Sequence, residues 1–389
     1  MLENREELQK YIIRNRRELH QIPELGLDLP KTVEHVTKEL DELGIRYEVY
    51  EDISCIVGVI DGSGDGKTLA IRADMDALPV REETDLPFRS ENGNMHACGH
   101  DGHTAILLGA AKYLKEYSRD FNGKVKLLFQ AGEEYPGGAR PMIERGALLD
   151  PKVDAVIGLH QGCIHPEVPK GSVGIAYGPL MASVDCFLIK VIGKGSHGAY
   201  PQDSIDAISI AAELVGALNK IVSREVAAVD ACVLSICRIQ GGINHNILPE
   251  VVEIEGTVRT TDPRVREKVA RRISEVSNLI TAAFGGRAEV HYDPKYPATI
   301  TDEKFTALFE KVCLDVVGKE KLVVLKKPVM SSEDMSFFLN EVPGTFFFLS
   351  NPKDGSDPIP HHNSRFDIEE ELMMMGCELF VGAALEYLK

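Results

Sequence analysis

Basic charge is scarce in this chain. Its 389 residues carry 43 Lys and Arg against 60 Asp and Glu, a formal net charge of −17. So acidic a chain repels phosphate backbones and anionic lipid, so neither nucleic acid nor a membrane surface is an expected partner. Cysteine is dilute as well: eight residues and no Cys-x-x-Cys pair, too few for a disulfide scaffold. Long apolar runs are missing. The most apolar helical stretches, 205–218 and 372–385, are too short to cross a bilayer and are interrupted by Glu213 and Glu378. The first residues, MLENREELQKYIIRNRREL, are densely charged where a secretory signal needs an apolar run. There is no internal repeat and no low-complexity tract. A cytoplasmic, reduced location is therefore the expectation, with the thiols free for other chemistry. At roughly 150 residues per domain, the length points to two or three domains.

Helical and strand patterns alternate over the first 180 residues, as in an α/β domain. Charged amphipathic helices are predicted at 3–20 and at 30–43, the second closed by Gly44. Short, nearly continuous apolar runs follow at 55–60, 68–73, 125–130 and 153–159, the mark of strands covered on both faces. A mostly buried helix is predicted over 103–117. Residues 62–68 (GSGDGKT) imitate a phosphate-binding loop, but Asp61 stands where the pattern needs glycine, and the stretch joins two strands. It reads as a flexible hairpin turn.

A different order occupies 182–292: strand 183–192, helix 204–221 with Ile208, Ala212, Val215 and Leu218 on one face, and strands near 230–240 and 251–259. Helix 263–284 follows, with Asp262 as N-cap, Pro263 at its first position and Gly285 beyond its end. Its apolar face is Val265, Val269, Ile273, Val276 and Ile280. Strand 287–292 completes the ferredoxin-like split unit. After 294 the α/β pattern resumes with helices at 302–317, 332–339 and 369–388 and strands at 322–326 and 344–349. The chemistry-bearing residues collect at strand ends. Strand 68–73 runs into Asp74-Met75-Asp76, strand 125–130 into Glu133-Glu134, and strand 153–159 into His160. Strand 344–349 leads through a Pro/Gly-rich loop to His361-His362. Open α/β sheets bind ligands outside those carboxyl ends. The turn HACGHDGH (96–103) adds Cys98 and His100, two residues apart. Singly, each has an ordinary structural reading; together, thiolate, imidazole and carboxylate point to zinc or a late first-row divalent ion.

In order along the chain stand MHACGHDGHTA (95–105), AGEE (131–134), GLH (158–160), GKGSHGAYP (193–201), GGINHNILP (241–249), GTVR (256–259) and SSEDMSFF (331–338). This series resembles the amidohydrolase branch of the aminoacylase/carboxypeptidase metallopeptidase superfamily, which includes hippurate and auxin-conjugate hydrolases. The resemblance implies a zinc-exopeptidase-like α/β catalytic domain (1–181 and 293–389) with an inserted ferredoxin-like α+β lid and dimerisation domain (182–292). It implies two divalent ions (zinc, manganese, cobalt or nickel) held by Cys98, His100, Glu134, His160 and His362, with the Cys98 thiolate between them. Ser364 replaces the proline of the family's terminal His-x-Pro motif. Asp76 would orient a ligating imidazole, Glu133 would be the general base, and His197 would stabilise the oxyanion, commonly in the partner subunit's site. Asn246 and Arg259 would hold the substrate carboxylate. The expected reaction is hydrolysis of an N-acyl-L-amino acid by a homodimer. The alternatives are a dipeptidase or carboxypeptidase, an N-acetyl-diaminopimelate deacetylase, a thiol hydrolase built on Cys98, or a binding protein without turnover.

Overall fold

A computed structural model describes residues 4–353 and 358–389. Glu3, the first residue of the first predicted helix, and residues 354–357 of the loop before His361 lie outside the described residues. The chain divides into two compact units. One runs through Leu180 and resumes over Ile300–Lys327 and Asp334–Lys389; the other comprises Met181–Thr299 with Pro328–Glu333. Among the described residues, the first unit is built on an eight-stranded mixed sheet. Its order is Arg46–Tyr50, Cys55–Asp61, Lys124–Gln130, Thr68–Asp74, Ala155–Gly162, Gly344–Ser350, Val173–Ala176, Leu322–Leu325.

The central strands are buried along their whole length, as continuous apolar runs require. Helices cover both faces. A Cβ at Gly158 would meet the Met335 sulfur, whereas its neighbour Leu159 touches Gly376 in the C-terminal helix Met373–Tyr387. Adjacent strand residues face opposite ways, so helix Met335–Glu341 and the C-terminal helix lie on opposite faces. Strands Thr68–Asp74, Lys124–Gln130, Ala155–Gly162 and Gly344–Ser350 are mutually parallel. Their carboxyl ends therefore share one edge.

The stretch 62–67 is not a hairpin. Lys124–Gln130 lies between Cys55–Asp61 and Thr68–Asp74, antiparallel to the first and parallel to the second. The glycine-rich loop passes over the start of that strand, with Gly62 N donating to Gly123 O (2.8 Å) and Gly123 N to Gly64 O (2.8 Å). Local turn chemistry signalled a reversal but not the strand that fills the gap.

In the second unit, Cys232–Gly241, Val251–Thr260, Asp185–Ile192 and Arg287–Pro294 form an antiparallel sheet in that order, the ferredoxin-like arrangement. Helices Ala207–Lys220 and Pro263–Ala283 pack on one face through Ile210, Leu214, Val269 and Ile273 against Phe187, Ile189, Val252 and Ile254. Asp262 caps its helix, accepting from Arg264 N at 2.7 Å. The face assigned to the first of these helices is corrected: Ile208 is exposed, as is Ala212, and the buried stripe is Ala207, Ile210, Ala211, Leu214 and Leu218. Two apolar stripes overlap on this helix, and packing selects one. The chain stays with this unit past residue 292 because Val184 N donates to Tyr296 O at 2.9 Å.

Gly123 sits at φ 70°, and a Cβ there would lie 2.0 Å from Lys67 O. Gly123→Ala is expected to destabilise the first unit by about 1–3 kcal/mol, read from urea midpoints.

Candidate metal centre

Asp76 organises the sheet edge. Its Oδ1 accepts from Glu133 N at 2.9 Å and its Oδ2 from Glu134 N at 3.0 Å, so one carboxylate pins the turn carrying both glutamates. Its main-chain carbonyl accepts from His100 Nδ1 at 2.9 Å. His100 thereby keeps Nε2 free, and that buried nitrogen has no hydrogen-bond partner among the described residues. His100 opens the helix His100–Glu116, three residues earlier than predicted, because Gly99 at φ 88° turns the chain just before it. His160 lies inside its strand rather than at the end. Its Nδ1 donates to Gln161 O (2.9 Å), which leaves Nε2 3.5 Å from the Cys98 sulfur.

His362 arrives from the distant C-terminal loop. Its amide donates to Ala97 O at 2.8 Å, next to Cys98, and its φ of 66° is rare for a residue with a side chain. Its Nε2 stands 3.0 Å from Glu134 Oε1. Two overlapping donor sets result: Cys98, His100 and His160, and Cys98, Glu134 and His362, each with ligand atoms within 4.8 Å of one another. Glu133 is buried, and its carboxylate falls in a further set with His100 and Glu134. His361 turns the other way: its Nε2 donates to Gln161 O at 3.0 Å.

The electrostatics suit a cation. Burial opposes charge on His100, yet Asp74, Asp76 and Glu134 together push its pKa up to about 10. Burial, then Glu134 and Glu133, hold the Cys98 thiol well above its usual range. Burial, reinforced by His103 and His361, keeps the His160 imidazole neutral. Carboxylates crowd the site, and the imidazole nitrogens left free are those facing it. These residues fit divalent ions, because thiolate, imidazole and carboxylate are the donors such ions take, and the non-ligating nitrogens of His100 and His160 are already engaged.

Sequence reasoning missed the support beneath the donors. His103 Nδ1 donates to Asp74 Oδ1 at 2.5 Å, and its Nε2 accepts from Gln161 N at 3.0 Å. Gln161 also donates from Nε2 to Gly99 O (2.7 Å) and accepts from Asn351 Nδ2 (3.0 Å). Below lies fully buried Arg72, which donates to Asp74 Oδ2 (2.8 Å), Asp334 Oδ1 (2.8 Å) and Gln130 Oε1 (2.9 Å). The spacing of His100 and His103, one helical turn apart, was a usable signal; nothing local marked Gln161 or Asn351.

His197, Asn246 and Arg259 belong to the second unit. Strand Ser196–His197 pairs with Ile247–Leu248, and Gly198 N donates to Asn246 O at 2.8 Å. His197 and Asn246, both exposed, line one cavity of about 630 Å³. Arg259 does not line it. It is half-buried on its strand, bonded to neutral partners, Val258 O (3.2 Å) and the Thr257 hydroxyl.

Residues 70–386 match the model of peptidase family M20/M25/M40. The chain belongs to this family. A member of a peptidase family hydrolyses amide bonds, and this chain is such a hydrolase. It is 41% identical to the N-acetyl-L-cysteine deacetylase of Bacillus subtilis, over 93% of this chain and 85% of the relative. It is 39% identical to thermostable carboxypeptidase 1 of Saccharolobus solfataricus, over 95% and 93%. Among solved structures, the YXEP protein of B. subtilis, described as a dinuclear metal binding peptidase of the M20 family, superposes with a TM-score of 0.85 at 32% identity, covering 98% of this chain and 99% of that one. The M20 fold comprises the α/β unit and its inserted ferredoxin-like unit.

Arg72→Met would strand Asp74 and Asp334 in a dry interior. Thermal or urea unfolding is expected to show a loss of about 3–5 kcal/mol.

Proposed function

We propose that the chain hydrolyses the amide of N-acyl-L-amino acids, releasing a carboxylate and a free amino acid, with two divalent ions held by Cys98, His100, Glu134, His160 and His362. The observation that carries this reading is the pair of donor sets sharing Cys98, with Glu133 buried beside them. The relatives supply the substrate class. N-acetylcysteine and a carboxypeptidase substrate share an acyl group on the nitrogen of an amino acid whose carboxylate is free. Divalent ions at this site would acidify water and polarise the scissile carbonyl.

Glu133 then takes a proton from the attacking water as its oxygen bonds to the acyl carbon. The same carboxyl group returns the proton to the nitrogen as the C–N bond breaks. Asp76 holds Glu133 in place through its backbone amide. Arg259, whose own partners are neutral, is free to pair with the substrate carboxylate, and Asn246 assists. Zinc suits the thiolate and imidazole donors. We place the protein in the cytoplasm, where its eight free cysteines stay reduced; no described helix is long and apolar enough to cross a membrane. A thiol nucleophile is disfavoured, because burial, and then the carboxylates of Glu134 and Glu133, oppose the thiolate that such chemistry needs.

We assign residues 182–292 the role of lid and dimer interface. Support comes from the exposed apolar rim of the His197 cavity, where Ile243 is 92% and Ile247 44% accessible. In that dimer His197 would donate to the oxyanion in the partner's site. The 39% identity to a carboxypeptidase favours a second reading in which dipeptides are turned over as well.

Glu133→Gln should lower kcat by about 10²–10⁴-fold with both ions still bound, measured by amino acid release after metal stripping and reloading. Release that survives chelation would overturn the two-ion reading. His197→Ala should cost about 10²–10³-fold. Mixing it with Glu133→Gln should restore part of the activity if subunits share sites; additive inactivity would sink the shared site.

A further inference from the structure

We infer that Arg16 is a positioning residue for the ion bound through His362. This rests on the two-ion reading above. Arg16 lies in the N-terminal helix Arg5–His20, a segment the proposed reaction does not use, and is 1% exposed. Its guanidinium engages three carboxylates at once. Nε donates to Asp101 Oδ2 at 3.0 Å, Nη2 to Asp367 Oδ1 at 2.9 Å and Nη1 to Glu370 Oε1 at 3.1 Å. Asp101 directly follows His100, and Asp367 and Glu370 follow His362 on the same strand of chain. One fork therefore ties the two ends of the donor set that are most distant in sequence.

The clamp is itself held. His20 Nδ1, one turn further along the same helix, bonds Asp101 Oδ2 at 2.7 Å. The Phe88 ring lies 4.9 Å beneath the Arg16 guanidinium. Glu370 is also gripped by Arg17, whose Nε donates to Oε1 at 3.0 Å. The donors differ in how much they need such help. His160 stands in a buried central strand, and His100 is anchored through its Nδ1 to Asp76 O. His362 comes from a loop, with a side chain 53% exposed and a backbone in the left-handed region. Its loop is held by its amide bond to Ala97, by Ser364, whose carbonyl accepts from Glu83 N at 2.8 Å and whose hydroxyl donates to Glu83 Oε2 at 3.1 Å, and by the Arg16 fork a few residues downstream. A lysine cannot replace the fork, because one ammonium cannot meet three carboxylates in the plane of a guanidinium.

The test is a calorimetric zinc titration of the metal-stripped protein and of Arg16→Lys, Arg16→Met and Asp367→Asn, with unfolding midpoints measured alongside. Asp367→Asn takes the charge from the arm nearest His362, and with it the 3.8 Å pairing to the exposed Lys353, but spares the buried Asp101 contact, so it reports even if Arg16→Met fails to fold. Asp367→Asn and Arg16→Lys are each expected to weaken one of two zinc-binding steps by about 10–100-fold and leave the other unchanged. Arg16→Met, if folded, should weaken that step at least as much. Two unchanged steps in both Asp367→Asn and Arg16→Lys would overturn the inference. So would equal weakening of both steps in parallel with the unfolding midpoint, which marks a merely structural role. A wild-type chain that binds fewer than two ions overturns the two-ion reading and this inference with it.

Discussion

The carboxylate of Asp76 closes the gap between two parallel strands whose ends would otherwise splay. Thr68–Asp74 stops two residues before it, and Lys124–Gln130 stops three residues before Glu133. Beyond those points the sheet ladder supplies no further acceptors, so the amides of Glu133 and Glu134 need partners from elsewhere. Asp76 takes both, and its carbonyl engages His100 as well. A single residue thus sets the relation between Glu133, the proposed general base, and Glu134 and His100, the proposed ligands. A charged acceptor makes each of these amide bonds stronger than a neutral one would.

That arrangement concentrates negative charge in a dry place, and the surroundings show how the charge is carried. Arg72 balances Asp74 and Asp334 below the site, while Gln130 and the amides of Gly138 and Ala139 complete the coordination of Asp334. Burial nevertheless raises Asp334 to about 6. Above, burial opposes charge on His100, but Asp74, Asp76 and Glu134 outweigh it and push its pKa up to about 10. A divalent ion would balance those carboxylates instead and return His100 to the neutral ligand form.

Much of this was legible from residue order. Asp, Glu and His at the ends of apolar runs identified the edge, and the Cys98-Gly99-His100 turn identified the soft donors. Other features were not. Gln161 makes contacts to His103, His160, His361, Gly99 and Asn351, yet it follows His160 as any strand residue might. Arg16 looked like one charge among many in a densely charged helix, although the interior closes round it completely.

Apolar periodicity and cap chemistry determined the elements, since both act over a few residues: the Asp262 cap, the helix of residues 263–283 and the buried central strands follow from local composition. Local composition could not determine which of two overlapping stripes on helix Ala207–Lys220 would face the sheet. Nor could it reveal that Lys124–Gln130 would enter between two strands joined by six residues. Those outcomes depend on strands and helices far apart in sequence competing for the same surface. The candidate donor set depends on the same competition: residue types suggested the chemistry, the family resemblance proposed the members, and only long-range packing brought His362 to Cys98 and Glu134.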